Sequence, residues 1–338
     1  MNKKSVLAML LAGAMALSMT ACGGNSASTD GSSNDSGASA SGGSYKVSVI
    51  LKTLAAEYWQ YVKSGAEDYA SEHSDKVTVE VKGPSSETAF DEMQNMIETD
   101  LSSGSYDGVI ISPLQSDTAA QLVSGTKLPI VAIDTNFTAP EVKSFVGTGN
   151  EAAAKKGGEA AVEAAKAAGW TDIKCIEIAG VQGDQTNTAR MNGYKAGVEE
   201  AGGTFLSDEV QYADATADRA TTAMEAIMQT HPEGIAIICA NNDDMAMAAA
   251  RAAQGHDAYK NTIFLGFNGD RAACEAILAG QMTMSVAQMA YEMGYKAVET
   301  MVQVLDGETV DEFVDSGSDV VTPDNAQERL DTLKTQLH

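Results

Sequence analysis

Basic residues are scarce in this chain: 22 Lys and Arg stand against 47 Asp and Glu in 338 residues, a formal net charge of −25. Nucleic acid and anionic lipid surfaces are recognised through clustered Lys and Arg, so neither is expected as a partner. The acidic residues are spread along the chain, as solubility requires, rather than gathered into a docking patch. Cysteine is also rare. After Cys22 only Cys175, Cys239 and Cys274 remain, an odd number without C-x-x-C spacing, which argues against a disulfide framework and a zinc site. Two of the three stand in apolar strand-like runs, where a free thiol packs as a small hydrophobe. His73, His231, His256 and His338 show no metal-ligand spacing, and no metal site is expected. Hydrolase signatures are missing as well: there is no G-x-S-x-G, no H-E-x-x-H, and no Ser or Cys with a plausible histidine base, so no catalytic residue is expected. Beyond the first residues, no apolar run reaches the ~20 positions that a membrane-spanning helix needs.

The ends carry more information. Met1-Asn2-Lys3-Lys4 precedes an apolar stretch from Val6 to Leu17 and the small-residue stretch Ser18-Met19-Thr20-Ala21-Cys22, the three regions of an export signal over residues 1–21. A cysteine at that point resembles a bacterial lipobox, with Met19 in place of the usual leucine. The resemblance implies that Cys22 carries lipid and holds the protein at the outer face of the cell membrane, in contact with the bilayer through that anchor alone. Residues 22–44 are almost wholly Gly, Ser, Ala, Asn, Asp and Thr after the cysteine. Such a segment buries too little to offset its ordering entropy and reads as a flexible linker. The body from Tyr45 onward is long enough for two lobes.

Along that body, short Val- and Ile-rich runs recur at 47–51, 77–81, 108–111, 130–133, 173–178, 235–238 and 263–266. Helical spacing lies between them, as in Tyr58, Tyr61, Val62, Ala66 and Tyr69, or Phe90, Met93, Ile97 and Leu101. Strand alternating with helix predicts an α/β fold with parallel sheets covered on both faces. After Phe145-Val146-Gly147-Thr148-Gly149-Asn150 the alternation begins again, which predicts two similar doubly wound halves.

In open parallel sheets, ligands bind beyond the carboxyl ends of strands. The polar residues at those ends are Lys52 and Thr53, then Glu57, Tyr58 and Trp59; Asp134, Thr135 and Asn136; Gly183, Asp184 and Gln185 running on to Arg190; Asn241 to Asp244; Asn268 to Asp270; and Gln288. Planar side chains that make paired hydrogen bonds, together with two adjacent aromatics, suit a polyol, whose hydroxyls both donate and accept around an apolar C–H face. Asp and Asn at these positions also suit helix N-caps. For Asp270 and Asp244 both readings stay open, whereas Asp134 and Asn242 are read as ligand contacts.

Five motifs, in order and at these spacings, resemble the type I periplasmic-binding-protein family, in its ribose-binding-like sugar branch. They are Val131-Ala132-Ile133-Asp134, Arg190-Met191-Asn192-Gly193-Tyr194, Cys239 through Ala246, Leu265-Gly266-Phe267-Asn268-Gly269 and Ser285-Val286-Ala287-Gln288. The resemblance runs from Tyr45 to about Val321. It implies two lobes, residues 45–148 with 289–316 and residues 149–288 with 317–338, joined by a three-strand hinge. It implies that Asp134, Arg190, Asn242 and Gln288 hold sugar hydroxyls and that Tyr58 and Trp59 stack on the ring. It further implies a monomeric solute-binding protein that delivers its sugar to the permease of an ABC importer. Ala56 and Glu57, Thr135, Asn268 and Lys52 depart from the ribose-binding pattern, so these positions are expected to change which hydroxyl pattern is accepted, and Lys52 either faces the ligand or reaches solvent.

Other readings are weaker. Gly147-Thr148-Gly149-Asn150-Glu151-Ala152 matches a dinucleotide-binding G-x-G-x-x-A, which raises an NAD-dependent oxidoreductase. The motif sits mid-chain, however, and no acidic residue clearly ends the next strand, so no cofactor is expected. A sugar-responsive repressor needs a basic helix-turn-helix where this chain has its leader and linker. A receptor that reports to a chemosensory or two-component membrane sensor uses the same lobe closure as an importer's binding protein and remains the alternative.

Overall fold

The structure, a computed structural model, describes residues 44–337. The leader, Cys22 and most of the linker lie outside the described residues.

The apolar runs become strands and the segments of 3.6 periodicity become helices. The first half runs β1 (Tyr45–Ile50), α1 (Glu57–Glu72), β2 (Val77–Lys82), α2 (Phe90–Ser103), β3 (Gly108–Ile111), α3 (Ser116–Val123), β4 (Ile130–Ile133) and β5 (Val142–Gly147). The second runs α4 (Asn150–Ala167), β6 (Lys174–Ala179), α5 (Gln185–Glu200), β7 (Thr204–Phe205), β8 (Gln211–Tyr212), α6 (Ala217–Thr230), β9 (Ile237–Ala240), α7 (Asp243–Ala253), β10 (Ile263–Asn268), α8 (Arg271–Leu278) and β11 (Met284–Gln288). The chain ends with α9 (Ala290–Leu305), β12 (Phe313–Asp315), β13 (Ser318–Val321) and α10 (Ala326–Lys334).

Two sheets result. The first has the order β12-β5-β4-β3-β1-β2 and is parallel throughout. The second has the order β13-β11-β10-β9-β6-β7, with β8 also paired to β6, and only β13 is antiparallel. Every residue of β3, β4 and β9 is buried, because helices cover both faces of a central parallel strand. In both sheets the winding reverses, between β1 and β3 and between β6 and β9, and such a reversal opens a crevice at the carboxyl ends.

The chain passes between the sheets three times: from β5 into α4, from β11 into α9, which packs on α1, and from β12 into β13. The first and third passes are tied together, since the Ser316 amide donates to the Gly147 carbonyl at 2.8 Å and the Thr148 and Ser316 hydroxyls lie 3.3 Å apart. The glycines of the dinucleotide-like motif therefore occupy one of these passes. Sequence periodicity did not foresee β12 and β13, which are short and mostly surface-lying; Phe313 is 43% exposed. Cys175, Cys239 and Cys274 are buried free thiols, the first two with sulfurs 3.3 Å apart on neighbouring strands.

Glycines let helices approach closely in each half. A Cβ on Gly294 of α9 would lie 1.9 Å from the Val62 carbonyl oxygen of α1, and one on Gly197 of α5 would lie 2.0 Å from the Lys155 oxygen of α4. Backbone cannot retreat from such a contact without moving a whole helix. Gly294→Ala should therefore destabilise the fold by about 1–3 kcal/mol, the usual cost of overpacking, read as a lower midpoint in urea unfolding; an unchanged midpoint would show that the two helices are not packed this tightly.

Candidate functional site

The two crevices face each other and form one narrow cleft, with about 40 Å³ open to water-sized spheres. Its wall comes from both sheets: Lys52, Tyr58, Trp59, Glu87 and Asp134 from the first, and Asp184, Thr186, Asn187, Arg190, Asn241, Asn242, Asp244, Asn268 and Asp270 from the second.

Lys52 follows β1, is 5% exposed and does not reach solvent. Its ammonium forms a buried ion pair with Asp184, which stands at the start of α5 in the other half. Desolvation pulls the lysine pKa down, but Asp184, then Asp134 and Glu87, outweigh it and hold the ammonium above its ordinary range. The other oxygen of Asp184 caps α5 by accepting from the Asn187 amide at 3.0 Å. One carboxylate thus fixes a helix and a cation at once.

Asp134 ends β4 in a left-handed backbone conformation, φ 63°. Its Oδ1 accepts from the Tyr58 hydroxyl at 2.8 Å and its Oδ2 from the Thr135 hydroxyl at 2.9 Å. Asn268 at φ 133° and Ala215 at φ 58° line the same cleft, and Asp214 at φ 47° precedes Ala215. Strained non-glycine backbone among the described residues is thus confined to this region, as is common where a site over-determines local conformation. Tyr58 and Trp59 meet edge to face, 4.9 Å between ring centroids, and the Trp59 indole donates to Glu87 at 3.0 Å. Burial pushes the Glu87 carboxyl up, while Lys52 and Trp59 pull it down.

Arg190 lies in α5 with its guanidinium 3.8 Å from the centroid of the Phe267 ring. Its Nε donates to Asn150 at 2.9 Å and its Nη1 to the Asn241 carbonyl at 2.9 Å. Those two bonds orient the guanidinium plane at the cleft wall. The Asn241 amide is held by Asn187, whose oxygen also accepts from Gly180.

Seven of the residues expected from the sequence therefore line the cleft: Lys52, Tyr58, Trp59, Asp134, Arg190, Asn242 and Asn268. Thr135 and Gln288 stand behind the wall, both with no exposed surface. Thr135 shares a hydrogen bond with Thr186 across the halves at 2.6 Å, and Gln288 donates to Asn268 at 3.0 Å. Asn242, read as a ligand contact, also caps α7 by accepting from Met245 at 2.9 Å and donates to the Ala215 carbonyl at 3.2 Å. Asp270 caps α8. Glu87, Thr186 and Asn187 escaped sequence reasoning. Glu87 lies beyond Pro84-Ser85-Ser86, well past the end of β2 at Lys82.

Beneath Asn241 and Arg190 lies Glu177, wholly buried in β6, whose carboxylate oxygens lack well-formed hydrogen bonds. Burial pushes its pKa up to about 8, against the pull of Asn241 and Arg190. A carboxyl with a folded pKa above its unfolded value binds more protons folded than unfolded, so stability is highest below the unfolded pKa and falls as pH rises from about 4.5 to about 8. Glu177→Gln should flatten part of that slope and raise stability at pH 8 by about 1–3 kcal/mol, measured as unfolding free energy across that pH range; a slope unchanged in the variant would place its origin in the other buried carboxyls.

The family model described as periplasmic binding protein domain matches residues 47–309. The D-allose-binding periplasmic protein of Escherichia coli is 30% identical over 264 residues, which cover 75% of this chain and 82% of that protein. The ribose import binding protein of Escherichia coli is 27% identical over 268 residues, 78% of this chain and 86% of that one. An ABC transporter solute binding protein from Agrobacterium vitis, solved with bound D-fucose, superimposes with a TM-score of 0.75 at 24% identity, covering 87% of this chain and 100% of that one; at this identity the likeness speaks for the fold.

Proposed function

The chain belongs to the periplasmic binding protein domain family, and from that membership we propose that it captures a neutral monosaccharide or related polyol outside the cytoplasm and delivers it to an ABC importer, without catalysing a reaction. One observation carries the reading: a cleft between two sheets whose wall consists of planar hydrogen-bonding groups already oriented by protein partners, beside an aromatic pair. Such a wall loses little entropy when it meets hydroxyls, and preorganisation is how small ligands are held tightly. The names of the relatives, for allose and ribose, point the same way.

Charge narrows the class. Two cations, Lys52 and Arg190, face five carboxyl groups, Glu87, Asp134, Asp184, Asp244 and Asp270. Lys52 is already neutralised by Asp184. A sugar acid would bring another carboxylate into this excess, and like charges in a desolvated site repel strongly. Neutral hydroxyls meet no such penalty.

The lobes are taken as residues 45–148 with 289–316 and residues 149–288 with 317–338, hinged at the three passes, so that ligand selects the closed arrangement and the importer reads it. Cys22 is taken as the lipid attachment point, which places the body beside the outer face of the membrane. If so, Cys22→Ser abolishes incorporation of labelled fatty acid in a bacterial host, and a labelled variant would refute the anchor.

A thermal-shift screen of D-ribose, D-allose, D-fucose, myo-inositol and the matching uronic acids tests the ligand class. At a hundred times its Kd a ligand of the native state adds about 2.7 kcal/mol, so one neutral polyol should raise Tm clearly and uronic acids should not. Asp134→Asn and Arg190→Ala should each weaken that binding by about a hundredfold, since each leaves a desolvated hydroxyl poorly matched at a cost of ~1–3 kcal/mol; Asn at 134 tolerates the left-handed backbone. A shift with uronic acids alone, or undiminished affinity in both variants, would overturn the reading.

A further inference from the structure

The C-terminal helix offered no function from sequence, yet its Arg329 reaches two backbone segments that matter to the cleft. The helix is fixed to the second sheet's side, packing on α8 through buried Ala326, Leu330 and Leu333. From there the half-buried guanidinium donates through Nη2 to the Gln288 carbonyl at 2.6 Å and through Nε to the Gly269 carbonyl at 3.0 Å, while Nη1 lies 3.2 Å from the Met289 sulfur.

Those carbonyls are placed tellingly. Gln288 is the last residue of β11, where the chain leaves the second sheet for α9, and Met289 is the irregular residue of that pass, φ −90° and ψ 70°. Gly269 follows Asn268 in the loop that lines the cleft and has φ 62°. Across this gap Gln288 donates its side-chain amide to Asn268 at 3.0 Å. One rigid planar fork thus bridges the backbones beneath a polar side-chain pair, a geometry that an ammonium cannot reproduce.

We propose that Arg329 is a positioning residue that clamps Gln288 and the Asn268–Gly269 loop to the second lobe, so that the β11–α9 pass bends at Met289 when the lobes move and the wall beside Asn268 stays preformed. The C-terminal helix then serves as the anchor of one hinge pass. The effect on affinity rests on the sugar-binding reading above, but the clamp itself can be measured without ligand.

The experiment is hydrogen exchange on the full chain, comparing wild type with Arg329→Met and Arg329→Lys, together with calorimetric titration of D-ribose, D-allose and myo-inositol. In Arg329→Met, amides of residues 266–272 and 286–292 should exchange about tenfold faster or more, with those of β3 and β4 unchanged, because only a local opening is made easier. Arg329→Lys, which keeps charge and reach but not the fork, should fall between and guards against a Met variant that fails to fold. Any sugar that the wild type binds should bind Arg329→Met about tenfold more weakly or worse. Local exchange unchanged in both variants contradicts the clamp, whether or not a sugar binds. Faster exchange with undiminished affinity contradicts its role in the site. Faster exchange when the wild type binds none of the three sugars upholds the clamp and counts against the sugar reading alone.

Discussion

The buried ion pair between Lys52 and Asp184 is the constraint around which the cleft is organised. Each charge lies about 95% out of contact with solvent, and such burial is costly unless the partner is present. The partners belong to opposite sheets, so the pair ties the two halves together across the cleft. For a buried pair the desolvation cost can match or exceed the Coulomb gain, so under the proposed lobe closure this contact alone does not decide how the halves sit. A ligand that bound both arrangements equally would shift nothing. The hydroxyl of Thr135 on Thr186 and the ion pair of Glu57 with Arg271 at 3.2 Å add further links across the same gap.

Rigid parts hold this joint in register. Asp184 and Asn242 serve two structures each, capping a helix while facing the cleft. Asp243, buried behind them, accepts from the Gly269 and Asp270 amides and from Ser285, and so fixes the loop that carries Asn268. Burial pushes its carboxyl up to about 6 against those hydrogen bonds. The side chains of the wall are therefore held by protein partners, and in the proposed closure the bending falls to the three passes.

Much of this was legible in the sequence because parallel-sheet cores are written as continuous Val and Ile runs, such as Ile130-Val131-Ala132-Ile133, and because the site must lie where those runs end. That logic leads to Asp134 directly and to Lys52 with its direction left open, whereas the role of Arg190, inside α5, rested on the family resemblance. It cannot reach the pairing of Lys52 with Asp184, 132 residues apart in the chain, since no local pattern records which strand end faces which. It also cannot separate the wall from what supports the wall: Thr135 and Gln288 are strand-end residues like Asn268, yet their side chains turn inward to hydrogen bonds. Glu87 was hidden for a different reason, lying beyond a turn rather than at the strand end itself. The final strands β12 and β13 owe their order to edge pairing rather than to apolar content, so hydrophobic periodicity carries no trace of them.

The most direct test of the account is a crystal structure grown with the neutral polyol that stabilises the protein most. The account predicts density for one sugar-sized molecule within hydrogen-bond reach of Asp134 and Arg190, beside Tyr58 and Trp59, with the Lys52–Asp184 pair intact. A ligand bound outside this cleft, or one seated within it only after Lys52 and Asp184 had separated, would contradict it.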